Sequence, residues 1–261
     1  MSLRLLVLSL ALLLAMAACT AAPAEPTELN VYAAASLQDV LDELISVYEE
    51  DHPEVQLVPA YDATSTLRTQ IEEGAPADIF LAADTTNPQE LRDAGLAGTP
   101  LVYTANLVTL IVPRNNPAGV GGWTDLASGD VTIIAAGEDV PITTYAEETI
   151  GNLAALPDAP PDYAAAVEAA IASREDNVRA VLTKIELGEG DAAFVYETDA
   201  ASSDDVAEVA LPGEAAAEAT YAGAVVGDDP PVAAQDFLDW LVDDQAQAIF
   251  DSFGFIPPPA T

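Results

Sequence analysis

Cationic side chains are scarce in this chain of 261 residues: seven Lys and Arg stand against 44 Asp and Glu, and there is one histidine. A formal net charge of -37 excludes nucleic acid and anionic membrane surfaces as partners, since both are bound through basic patches. The single histidine, His52 in "EDHPE", has no second histidine or cysteine cluster beside it, so no zinc site is expected. A Ser-His-Asp hydrolase would have to use the same His52, and no G-x-S-x-G turn accompanies it. No EF-hand-type calcium loop is present, so the carboxylates read as a solvated coat. Cysteine is nearly absent too. Cys19 is alone, which rules out an intramolecular disulfide.

Cys19 follows "MSLRLLVLSLALLLAMAA", a segment with one Arg, an apolar run and small residues at its end. Residues 1–18 read as a secretory signal peptide, too short and wrongly flanked to span a bilayer. The position of Cys19 resembles the lipobox of bacterial lipoproteins, with Met16 where leucine is usual, and implies lipidation of Cys19. Residues 19–28 then form a tether, and the protein works outside the cytoplasm.

From Leu29 strands and helices alternate, and no internal repeat interrupts them. Apolar runs place strands at 29–35, 55–61, 77–83, 106–113, 131–136, 192–196, 206–211 and 221–226. Helical periodicity follows Ser36, Thr64 and Pro88, recurs two or three times between Thr143 and Leu187, and closes the chain at 232–242 and 245–253. The expected fold is α/β, with mostly parallel sheets flanked by helices. The strands at 106–113 and 221–226 are candidates for crossings between two lobes: 29–105 plus 223–261, and 106–222. Ligands of such folds lie at the carboxyl ends of the strands.

At several of those ends the strand gives way to a helix through small or hydroxyl-bearing residues. "AAAS" brings bare backbone up to Ser36, which reads as a helix N-cap with Asp39 at capping-box spacing. "ATST" does the same with the hydroxyls of Thr64, Ser65 and Thr66, "VPITT" between Pro141 and Thr144, and "DNV" near Asn177 and Val178. Amides of a first helical turn point outward with partial positive charge, so several converging starts make an anion site. Arg68 and Arg179 read as surface pairs of Glu72 and Glu175 at helical spacing. Tyr32, Tyr61, Tyr103, Tyr145 and Tyr221 read as core or rim residues.

The segments "VYAAASL" (31–37), "STLRTQIEEGAPADIFLAAD" (65–84), "NVRAVL" (177–182), "FVYETDA" (194–200) and "FDSFGF" (250–255) resemble the periplasmic molybdate-binding proteins of ABC importers. The resemblance implies a type II periplasmic-binding-protein fold with no catalytic activity and no cofactor. It implies a monomer that closes on molybdate or tungstate and delivers it to a membrane permease. Its ligand contacts would fall on Ser36, Thr64, the backbone at Ile142, the backbone at Val178, and the Tyr196 phenol. The family's "VPAG" departs here to Ile142-Thr143. Residue chemistry alone leaves open a receptor for sulfate or thiosulfate, a sensor, and an exported α/β enzyme or adhesion module.

Overall fold

Leu29, Val31 and Ala33 fall on one side of an extended segment and are fully buried, as a period of two requires. In the computed structural model, which describes residues 26–258, they belong to strand β1 (Thr27–Ala34). β1 pairs in parallel with β2 (Val55–Asp62) on one edge and β3 (Ile79–Ala82) on the other. It begins two residues inside the expected tether, because Thr27 N–H donates to the Glu54 carbonyl at 2.8 Å. The expected signal peptide and Cys19 lie outside the described residues.

Helix α1 (Gln38–Asp51) joins β1 to β2 and buries Val40, Leu41, Leu44 and Tyr48 along one face. α2 (Thr64–Glu72) joins β2 to β3, and α3 (Thr86–Asp93) follows β3. The chain then runs through the thirteen residues of β4 (Leu101–Pro113). Its first half pairs with β9 (Glu218–Val225), which lies antiparallel between β3 and β4. From Val108 onward β4 changes neighbours, to β7 (Ala192–Tyr196) and β8 (Val206–Val209), both antiparallel. β5 (Ile133–Ala136) pairs in parallel with β7 and with β6 (Ile171–Glu175).

Two groups of five strands therefore share β4, ordered β2-β1-β3-β9-β4 and β6-β5-β7-β4-β8. Parallel pairing holds for the three outer strands of each group. β4 and β9 make the whole sheet mixed, because each runs against every strand it touches. β9 lies so close to β3 that a Cβ on Gly223 would meet Leu81 Cδ2 at 2.7 Å and the Phe80 carbonyl oxygen at 3.0 Å. β6 ("IASRE") is a strand that the apolar runs do not mark. It is an edge strand, so it needs no continuous apolar run.

The second group carries α4 (Pro141–Ala154), α5 (Tyr163–Ala169), α6 (Val178–Glu186) and the short α7 (Glu197–Ala201). α8 (Val232–Trp240) and α9 (Asp244–Ser252) return to pack on β9 and α1. Among the described residues no helix is long and apolar enough to cross a membrane.

Candidate functional site

The carboxyl ends of β1, β2 and β3 meet those of β5, β6 and β7 around a cavity with about 210 Å3 of space free of atoms, part of it open to solvent. Its wall includes Ser36 after β1, Thr64 after β2, Ile142 after β5, Val178 after β6 and Tyr196 at the end of β7. All five are buried, none more than 4% exposed, so the structure brings together the five residues on which the resemblance places ligand contacts.

The local roles differ from the sequence expectation at Ser36. It sits in a 3-10 turn (Ala35–Leu37), and the residue capping α1 is Leu37, with no side-chain cap bond. The Ser36 hydroxyl instead lies 2.9 Å from Tyr221 Oη, and Asp39 is drawn away to Arg179. Thr64 Oγ1 accepts from the Ala83 amide at 3.1 Å, which leaves the hydroxyl hydrogen for another acceptor. At α4 the departure "IT" has a structural use. Thr143 Oγ1 donates to the carbonyls of Gly137 (2.8 Å) and Ala136 (3.2 Å), closing the β5–α4 turn. Asn177 caps α6 by accepting from Ala180 N–H at 3.0 Å. Its Nδ2 donates to Asp62 Oδ1 at 3.3 Å, tying the second strand group to the first.

First-turn amides have no partner inside their own helix. Those of Ser36, Thr64, Ile142 and Val178 donate to no backbone carbonyl among the described residues. The Tyr196 hydroxyl is buried without a hydrogen-bond partner among the described residues. Burial, then the neighbouring Tyr221 and Tyr145, push its pKa well above the ordinary phenol value, so it stays a donor. The wall thus presents N–H and O–H groups. One carboxylate, Asp62, also lines it, with Oδ1 engaged by Ala63 N–H (2.7 Å) and Asn177.

Arg179 corrects a second expectation. It does not pair with Glu175. Its Nη2 lies 2.7 Å from Asp39 Oδ2 in the first group, its Nε 2.8 Å from Asp199 Oδ1 in α7, and its Nη1 donates to Ser202 Oγ at 3.1 Å. Asp199 is fully buried. Burial raises its carboxyl to about 6 against the lowering effect of Arg179. Arg68 does pair with Glu72, and also with Glu90. Sequence spacing does not mark Tyr221, the Asn177 side chain or Asp199 as groups of the site. Only the cap preference of "DN" before a helix signals any of them.

Residues 29–256 match the family model described as bacterial extracellular solute-binding protein. The chain belongs to this family. Its members bind solutes and are not enzymes. The chain is 32% identical over 236 residues, 87% of its length and 85% of the relative's, to "Putative ABC transporter substrate-binding lipoprotein YvgL" of Bacillus subtilis. It is 31% identical over 240 residues, 89% of its length and 91% of the relative's, to the molybdate-binding protein ModA of Haemophilus influenzae. Among solved structures it resembles the Azotobacter vinelandii periplasmic molybdate-binding protein, with TM-score 0.72, 19% identity and 88% and 100% of the two chains covered. It also resembles the sulfate-binding protein SubI of Mycobacterium tuberculosis, with TM-score 0.77, 21% identity and 88% and 87% covered. At such identities the two structures establish the α/β binding-protein fold.

Proposed function

We propose that this chain captures a fully deprotonated tetrahedral oxyanion, molybdate or tungstate, and delivers it to an ABC permease. The observation that carries the reading is the Tyr196 hydroxyl: buried, protonated, without a partner, and on the wall of the cavity. An unpaired buried donor costs about 1–3 kcal/mol, and an anion oxygen removes that cost. Ser36 and Thr64 add hydroxyls, and the amides at Ile142 and Val178 add N–H groups at helix starts, where the dipole favours negative charge. Several neutral donors held in place stabilise a desolvated dianion without a counter-ion. The names of the Haemophilus influenzae and Bacillus subtilis relatives support molybdate as the ligand and an ABC importer as the recipient.

On this reading residues 29–105 plus 223–261 form one lobe and 106–222 the other, and β4 and β9 are the crossings that flex. Cys19 carries a lipid that holds the protein at the outer face of the cell membrane.

The test is a melting series with molybdate, tungstate, sulfate, thiosulfate and phosphate on the wild type and Tyr196→Phe. Molybdate at about 1,000 times Kd stabilises the wild type by about 4 kcal/mol. Tyr196→Phe melts no lower than the wild type without anion, having lost an unpaired group. It binds molybdate about tenfold more weakly. A wild type that responds to none of the anions ends the reading, and one that responds only to sulfate or thiosulfate reassigns the ligand.

A further inference from the structure

Ser36 lines the cavity, and its hydroxyl touches a group from a distant part of the chain. Its partner, Tyr221 Oη at 2.9 Å, lies 185 residues later, on β9. Tyr221 is fully buried. Its ring is wedged among Tyr103, Tyr196 and Phe255, with centroids 6.5, 5.8 and 5.7 Å away, so the phenol has one orientation.

The polarity of the Ser36–Tyr221 bond follows from what else each group can reach. Ser36 Oγ is the only hydrogen-bond partner of Tyr221 Oη among the described residues, and a buried O–H left without an acceptor costs about 1–3 kcal/mol. Donation from Tyr221 to Ser36 leaves no such hydrogen in the core, and it leaves the one hydrogen of Ser36 for a ligand in the cavity.

We infer that Tyr221 is a positioning residue for the anion: its hydroxyl donates to Ser36 Oγ and so fixes Ser36 as a donor toward the cavity. The inference rests on the oxyanion reading above and adds a residue that touches no ligand. It also assigns Tyr221 a part in selectivity. A serine whose lone pair is occupied by Tyr221 presents hydrogen to the anion. An anion bearing its own proton at that point, such as hydrogen phosphate, meets a donor facing a donor. Thr64 is fixed in the same sense by the Ala83 amide. Without the Tyr221 hydroxyl, Ser36 is free to rotate and accept, and hydrogen phosphate is no longer penalised there.

The experiment is calorimetry with molybdate and with phosphate at pH 8 on the wild type, Tyr221→Phe, Ser36→Ala and the double variant, each checked for its melting temperature. Tyr221→Phe weakens molybdate about tenfold and lowers the molybdate-over-phosphate ratio. The double variant binds no more weakly than Ser36→Ala alone, since Tyr221 acts only through Ser36. Losses that add, or a Tyr221→Phe protein with wild-type affinity and ratio, overturn the inference and leave the oxyanion reading standing. A wild type that binds no oxyanion overturns both. Should Tyr221→Phe fail to fold, Tyr221→Met carries the test, because it also removes the hydroxyl while its flexible side chain keeps apolar bulk in the core. The same fall in ratio is expected, and an unchanged ratio overturns the inference.

Discussion

The two strand groups face the same cavity with different chemistry. The first offers hydroxyl side chains, Ser36 and Thr64, each with its oxygen already engaged by a neighbour. The second offers helix starts whose side chains, Ile142 and Val178, are apolar, together with one unpartnered phenol, Tyr196. Donors in the first group belong to side chains and are open to substitution. Those in the second belong largely to the backbone, which leaves the side chains free to serve the core. The groups also differ in their acids. Asp39 at the start of α1 is partly exposed, whereas Asp199 in α7 is sealed, with Arg179 between them.

The largest way to probe that contrast is pH. Asp199 is raised to about 6 by burial, against an ordinary value of 3.8. A raised carboxyl favours the folded state below its unfolded pKa, and that contribution is lost as pH rises through the folded value. Asparagine does not titrate. Wild-type stability minus that of Asp199→Asn is therefore expected to fall between pH 4 and pH 7, by up to about 3 kcal/mol at 1.36 kcal/mol per unit. Urea unfolding at the two pH values measures it. A flat difference would mean that Arg179 fully compensates the burial of Asp199.

Affinity separates the groups next. Ser36→Ala with Thr64→Ala removes two hydroxyls from a charged ligand and weakens molybdate about a hundredfold. Ile142→Ala keeps its amide, so its affinity stays within about threefold of wild type, while unfolding becomes easier by about 2–4 kcal/mol through the lost packing. If Ile142→Ala weakens molybdate as much as the hydroxyl variants do, the apolar side chain shapes the pocket and the division of labour fails.

This division also explains what is legible in the sequence. "VYAAASL" shows a strand, bare backbone and a hydroxyl within seven residues, so the first group's half of the site can be read locally. Local spacing finds Ser36 but misjudges its role. A cap is the expectation, whereas its bond goes to a tyrosine 185 residues away. Long-range pairs of this kind leave no trace in spacing. Arg179 defeats spacing for the same reason. The i,i+4 rule offers Glu175, but the guanidinium goes to the sealed carboxylate of Asp199 in α7 and the partly exposed one of Asp39 in α1. β4 is legible but reads short, because Leu101–Ala105 lacks the β-branched run that marks its second half. β6 is hidden by its charge. In the second group the helix starts near Pro141 and Asn177 are legible, but the donors within them, at Ile142 and Val178, are placed only through the family resemblance.

A smaller effect is expected at the ties that bridge the groups. Arg179–Asp39 and Asn177–Asp62 both run from the second group to the first. Asp39→Asn leaves Arg179 with Asp199 and Ser202 but removes the charge across the cleft. It is expected to weaken molybdate about threefold, mostly through faster release, with less effect at high salt because Asp39 is partly exposed. Stopped-flow release rates report it. An unchanged release rate would show that the ligand alone holds the two groups together.

The smallest effect concerns capture. Beside the cavity a wide cleft of about 1380 Å3 opens between α2, α3 and the start of α4, lined by Asp84, Glu90, Glu138 and Asp139, with Arg68 as its cation. Arg68 is already paired with Glu72 and Glu90, so a dianion arriving by this route meets net negative charge. Like charge slows encounter, and the field reaches about 30 Å at 0.01 M salt but only about 8 Å at 0.15 M. Molybdate capture is therefore expected to speed up about two- to threefold over that range of sodium chloride. Glu138→Gln with Asp139→Asn should raise the low-salt rate and flatten its salt dependence, with little change in release. A capture rate that falls with added salt would mean that attraction by the helix starts outweighs the acidic rim even at a distance.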